Sequence, residues 1–245
     1  MTLFTVTTSL HLPGKEKQTM TCLRELFTIE TQLLDSKKIQ CVLINEYASD
    51  HVDRLSGIRL KYPHMTCIQK NAKETGQAKS INLIFRMLRE NTYKFWIHWE
   101  ESWILHAPFL SDAMHVLNLY PKISQLQIAK GWDNVAHDVH DNVNIISSEY
   151  HKIIETRINM NDKNVHWKNK PWPLFSLQPG IDRVQNIVDV GEFHPQHNTV
   201  PDGKVNGSEF NFACRWYLQE VQKGVLTPFR AFRDTHHVST NRYIT

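Results

Sequence analysis

Residues 39–45 read IQCVLIN, apolar at nearly every position. A strand with one face in water alternates apolar and polar side chains. A strand that does not alternate must be covered on both faces, which is the condition inside a parallel sheet flanked by helices. The neighbouring segments extend the pattern. LFTVTTS (3–9), MTCIQ (65–69) and YKFWIHW (93–99) read as further strands. Helical periodicity fills the gaps: a segment from about 15 to 35 with Leu23, Leu26, Phe27, Leu33 and Leu34 roughly on one face, a short helix from about 50 to 60, and a helix from about 78 to 90. In the last of these Ile81, Ile84, Phe85 and Leu88 recur at i, i+3, i+4 and i+7. Strands alternating with helices predict an α/β class, a three-layer α/β/α sandwich on a mostly parallel sheet. Sheets of that kind bind ligands at the carboxyl ends of their strands.

The second half is less regular. Residues 106–119 read as helical after Pro108, and ISQLQIA (123–129) as a strand. From about 131 to 205 the chain is rich in Asn, His, Asp, Pro and Trp, and long irregular connections on a rigid scaffold commonly carry binding function. SEFNFACRWYLQEVQ (208–222) reads as a last helix, started by Ser208 with an acid in its first turn and stopped at Gly224. At 245 residues, with no internal repeat and no convincing linker, a single domain over 1–245 is expected.

Charge and cysteine usage narrow the function. The net charge is only +3 with dispersed basic residues, which argues against a dedicated nucleic-acid binder and leaves small anions as ligands. Cys22, Cys41, Cys67 and Cys214 lie too far apart for a zinc or redox motif. Cys41 and Cys67 sit in apolar runs, so buried free thiols and a reducing, cytoplasmic compartment are expected. The N-terminus lacks a signal-peptide pattern, and no run of about 18 apolar residues could span a bilayer.

Polar residues gather at the predicted strand ends. After the second strand stands INEYASD, with Asn45, Glu46 and Asp50. After the third comes NAKETGQAKSIN, where Gly76 before a helix and Lys79 one turn in suit an anion, although capping accounts for such a loop equally well. After the fourth comes HWEESW, where Glu100 and Glu101 offer hard oxygen ligands for Mg²⁺ or Mn²⁺ and hence a hold on phosphates. A solvated, salt-bridged turn is the alternative there. His98 is open between a core histidine and a ligand. Near the C-terminus FRAFRDTHHVST brings Arg230, Arg233, Asp234, His236 and His237 together, either a phosphate and metal cluster or plain surface. HDVHD (137–141) reads as a solvated loop rather than a metal site. Trp167 and Trp172 in VHWKNKPWPLF offer flat faces for sugar rings, with core packing as the alternative.

The order of these motifs resembles the GT-A glycosyltransferases, particularly the large family 2 and its relatives in viruses and bacteria. That family reads VDDGSSD, then GxxxAxN, then an acidic EDDW or DxD signature. VLINEYASD aligns with the first without a gap, Gly76 to Asn82 keeps the step of the second, and WEESW falls at the third. The resemblance is good over about residues 3–130. WPLFSLQPGIDR (172–183), GEF (191–193) and the helix entered at Glu209 look like later elements of the same class.

The resemblance implies a Rossmann-like GT-A fold, with a nucleotide-sugar-binding half at 1–130 and an acceptor-binding half at 131–245. It implies an enzyme that transfers a hexosyl or pentosyl group from a nucleotide-diphosphate sugar to a saccharide acceptor, inverting and aided by Mn²⁺ or Mg²⁺. Thr8, Ser9, Asn45 and Glu46 would hold the donor nucleoside, and Lys79 and Asn82 its base, ribose or phosphates. Glu100 and Glu101 would face the metal and diphosphate, with His237 a further ligand and His236 nearly as plausible. Glu209 would be the catalytic base, Arg233 would steady the leaving diphosphate, and the acceptor would lie on Trp167 and Trp172. The departures are Ser102 where the family has its last metal-binding Asp, and Asn45 with Glu46 where it has paired Asp. Two rival readings stand beside this one, the first because it uses a similar sheet and the second because of Ser102. One is a sugar-phosphate nucleotidylyltransferase, for which SLHLPGKEK would be a poor version of the Gly-rich basic loop. The other is an inactive module that still binds the nucleotide sugar.

Overall fold

The computed structural model describes residues 1–50, 52–129, 137–140, 143–146, 174–194, 207–219 and 221–234. The first half builds β1 (Thr2–Thr8), α1 (Lys15–Ile29), a 3-10 turn (Thr31–Leu34), β2 (Ile39–Asn45), α2 (Ser56–Lys61), β3 (Met65–Gln69), α3 (Gln77–Glu90) and β4 (Phe95–Glu100). Then come β5 (Trp103–Leu105), α4 (Leu110–Leu119), β6 (Ile123–Gln127), β7 (His137–His140), β8 (Val143–Ile146), β9 (Gly180–Arg183), α5 (Val184–Val190), α6 (Gly207–Tyr217), β10 (Gln222–Leu226) and β11 (Ala231–Arg233). Nine strands join in the order β3-β2-β1-β4-β9-β6-β10-β8-β7, and β5 pairs with β11 in a small separate sheet. Seven strands of the large sheet run one way; β8 and β9 oppose them.

The unbroken apolar character of the first strands is used on both faces. Leu3, Val42, Ile44 and Trp96 pack toward α3, α5 and α6, while Phe4, Val6, Leu43, Ile97 and Trp99 pack toward α1 and α4. The three-layer α/β/α arrangement follows from that division. Two local features set the starts of helices α4 and α3. Glu30, 1% exposed, accepts the Phe109 and Leu110 N–H groups at 2.8 and 2.9 Å, placing a carboxylate at the start of α4. Gly76 turns into α3 with φ 100°, a left-handed conformation that a side chain would strain.

Several boundaries differ from the sequence expectation. The first helix ends at Ile29, so Leu33 and Leu34 belong to the 3-10 turn. The last helix ends at Tyr217, not 222, and Gly224 lies inside β10 instead of stopping a helix. Pairing of β10 with β6 on one side and β8 on the other overrides the local helical pattern. The HDVH residues of the expected loop form β7, paired with β8. Such long-range pairing leaves little trace in local periodicity. Cys22, Cys41 and Cys214 are buried free thiols, whereas Cys67 is only half-buried. Among the described residues no helix is long and apolar enough to cross a membrane.

Candidate active site

In the sheet order the chain moves outward from β1 to β2 and β3, then returns to the other side of β1 with β4. In open sheets of this kind the ligand crevice forms where the order reverses, here at the carboxyl ends of β1 and β4. Thr8 Oγ1 lies 2.7 Å from Thr19 Oγ1, joining the end of β1 to α1. Asn45 accepts the Leu10 N–H at 2.9 Å and donates to Gln69 Oε1 at 2.7 Å. Its side chain therefore stitches the loops after β1 and β3 together. The next loop is organised by Lys70, whose buried ammonium donates to Glu46 Oε2 (2.8 Å), Gly76 O (3.0 Å) and Ser80 Oγ (2.8 Å). Glu46 Oε2 also accepts the Gly76 N–H at 3.1 Å. The anion expected before α3 is thus the protein's own Glu46. Lys79 is exposed on α3, and Asn82 clamps the backbone of Phe193 through two hydrogen bonds of 2.9 and 2.8 Å.

The acidic pair after β4 splits into two environments. Glu101 is buried, with Oε1 2.5 Å from the Nζ of Lys15, itself 4% exposed at the start of α1. Glu100 keeps about a quarter of its side chain open, accepts from Gln77 Nε2 at 3.3 Å and lies 3.8 Å from Arg233 Nη2. The β5–β11 pairing sets Arg233 opposite Trp103, with the guanidinium 5.0 Å from the ring centroid. Burial, the Glu101 charge and the more remote Glu209 charge push the Glu100 carboxyl up to about 7, against the pull of Arg233 and Lys15. His98 is a buried core residue, its Nδ1 3.5 Å from Thr5 Oγ1, and burial drives its pKa down to about 3, so it stays neutral.

The Glu100 shift carries a pH signature. Between about 4.5 and 7 the folded protein holds a proton that the unfolded chain has released, so this group lowers stability as pH rises through that window. E100Q is therefore expected to stabilise the ligand-free protein at pH 8 by about 1–2 kcal/mol, discounted for the open quarter of the side chain, and hardly at all at pH 4. Urea unfolding at the two pH values measures the difference; an equal effect at both would contradict it.

Glu209 stands in the first turn of α6, where the helix dipole favours a carboxylate. Its Oε1 accepts the Leu177 N–H at 2.8 Å. Burial raises its pKa, while the Leu177 N–H, Lys223 and Arg233 pull it back down. Arg233 acts on both Glu100 and Glu209, so β4, α6 and β11 contribute to one electrostatic site. Trp167, Trp172, His236 and His237 lie outside the described residues. Sequence reasoning missed Lys15, Lys70 and Lys223, because each is a single lysine whose carboxylate lies far away in the chain.

Among the described residues no group of three or more His, Cys, Asp or Glu side chains could hold a metal ion, so an ion here would need Glu100 together with ligands from outside that set. Mg²⁺ and related ions are commonly held by one or two carboxylates together with substrate phosphates and water. Glu100 faces the crevice, whereas the Glu101 carboxylate is already engaged by Lys15.

This architecture is the GT-A fold, the fold of many nucleotide-sugar glycosyltransferases. Solved structures that share it include S. aureus TarS 1-349 in complex with UDP-GlcNAc, at 14% identity and TM-score 0.62, covering 100% of this chain and 61% of that one. The mannosyltransferase PcManGT from Pyrobaculum calidifontis, in complex with GDP-Man and Mn²⁺, matches at 14% identity and TM-score 0.55 over 93% of this chain and 54% of its own. GalNAc-T7 with UDP, GalNAc and Mn²⁺ matches at 10% identity and TM-score 0.60 over 95% and 43%. The present chain thus spans less than two thirds of each of these. No protein-family model and no curated protein sequence matches it.

Proposed function

We propose that the protein transfers a sugar from a nucleotide-diphosphate donor to a saccharide hydroxyl with inversion at the anomeric carbon. The observation that carries this reading is the convergence of a helix-start carboxylate, Glu209, with Glu100 and Arg233 at the carboxyl edge of a GT-A sheet. Glu209 takes the proton from the acceptor hydroxyl as its oxygen bonds to the anomeric carbon. The bond from that carbon to the diphosphate oxygen breaks, and the nucleoside diphosphate departs. Arg233 would offset the charge growing on that leaving group. A bound Mn²⁺ or Mg²⁺, held by Glu100 with the donor phosphates and His237, would supply further Lewis-acid stabilisation.

Ser9 and Lys79, at the rim of the crevice, are proposed donor contacts; Thr8, Asn45, Glu46 and Asn82 shape the walls through the bonds described above. Residues 1–130 would then form the donor half, and 131–245, with Trp167 and Trp172, the acceptor half. UDP and GDP sugars are the first donors to test, since the similar structures carry UDP-GlcNAc and GDP-Man.

A thermal-shift panel of nucleotide sugars, with and without Mn²⁺, tests donor binding. At a hundredfold excess over Kd, a matching donor is expected to stabilise the protein by about 2.7 kcal/mol through linkage. Indifference to every donor in the panel would remove the basis of this reading.

A further inference from the structure

Lys223 is the second residue of β10, fully buried and paired with Gln125 of β6. Burial drives its pKa well below the usual lysine value, and an amine taken out of water in this way needs partners from the fold. Its Nζ donates to the Leu174 carbonyl at 2.8 Å. Leu174 has φ 73°, the single non-glycine residue with positive φ among those described, a conformation that an apolar side chain resists. The hydrogen bond from Lys223 thus holds a turn that Leu174 would not adopt by preference.

That turn is gripped at two further points. Gln125 lies beside both Lys223 and Asp182 in the sheet register, so the three form one row across β10, β6 and β9. Gln125 Nε2 donates to Ser176 O and to Asp182 Oδ1, both at 2.9 Å, and its Oε1 accepts the Ser176 N–H at 3.1 Å. One residue later the Leu177 N–H meets Glu209 Oε1. A connected path therefore runs from Lys223 on β10, through the 174–177 turn, to the carboxylate on α6.

We infer that Lys223 is the positioning residue for Glu209: it fixes the 174–177 turn so that the Leu177 amide orients the carboxylate. The inference rests on the reading of Glu209 as the base. Among the described residues the charged groups that act on Glu209 include Lys223 from β10, Arg233 from β11 and Glu100 from β4; Asp182 from β9 acts on Lys223. Burial raises the Glu209 carboxyl and the bond from the Leu177 N–H opposes that rise, so release of that amide moves the carboxyl further up.

The test uses the ligand-free protein. K223M alone takes Lys223 from beside the buried Asp182 and endangers folding, so D182N/K223M, which removes both ionisable groups, is compared with D182N. Hydrogen exchange reports on the Leu177 amide, and carboxyl ¹³C NMR, assigned with E209Q, reports on Glu209. D182N is expected to leave Leu177 protected as in the parent. D182N/K223M is expected to speed its exchange by about tenfold or more and to raise the Glu209 midpoint by about one pH unit. Unchanged exchange and midpoint in a folded D182N/K223M protein would overturn the inference. Neither measurement needs a donor or acceptor, so failure of the transfer reading shows separately, in the donor panel and in the activity of E209Q.

Discussion

Replacing Glu209 with Gln is expected to lower the rate of sugar transfer by about 10²–10⁴-fold while leaving donor binding and stability close to those of the parent. The expectation follows from what the substitution keeps and what it removes. Gln retains a side-chain oxygen that can accept the Leu177 N–H, so the start of α6 and the 174–177 turn keep their link. It loses the capacity to take a proton from the acceptor hydroxyl. Burial raises the Glu209 pKa, so transfer by the parent should fail on the acid side at a pH above the ordinary carboxylate range, as the base becomes protonated. E209Q should lack that acid limb. The rate is read in single-turnover transfer with a donor found in the thermal-shift panel. A loss below about tenfold, with the acid limb intact, would assign the proton transfer to another group or favour a retaining mechanism, which needs no base at Glu209.

The first half of the chain was legible because its information is local. A continuous apolar strand such as IQCVLIN has few alternatives, and helix α3 announces itself through Ile81, Ile84, Phe85 and Leu88. Glu100 and Glu209 could be placed near the site because each stands at the end of an element visible in the sequence. What stayed hidden is the pairing of charges across long separations. Nothing near Lys15 in the chain marks it as the partner of Glu101, and Lys70 and Glu46 meet only because β2 and β3 are neighbours. The residues after Tyr217 show the same limit, since Gln222–Leu226 becomes a strand only in the presence of β6 and β8. The burial of Lys223 likewise has no local mark, and its meaning required Leu174 and Asp182 to be in place.

The Lys15–Glu101 pair leads to the largest expected change in stability. K15M removes an ammonium that is 4% exposed and leaves the buried Glu101 carboxylate beside Glu100 without its cation. A buried carboxylate that loses its partner in this way costs about 3–5 kcal/mol, whereas removal of both charges together costs far less. Urea unfolding at pH 8 should therefore show a large loss for K15M and recovery of most of it in K15M/E101Q. The same substitution alters the ion chemistry of the crevice. With Lys15 present, Glu100 is the carboxylate of the acidic pair that faces the crevice; without it, Glu101 becomes available as a second oxygen ligand. Mn²⁺ alone should accordingly raise the Tm of K15M by more than it raises that of the parent, and this excess should vanish in K15M/E101Q. If E101Q gives no recovery, the contribution of Lys15 lies instead in its 3.0 Å bond to Gln18 Oε1 and the first turn of α1. If Mn²⁺ stabilises the parent and K15M equally, the ion does not engage Glu101, and the acidic pair divides its work between an internal counter-charge and a single ligand.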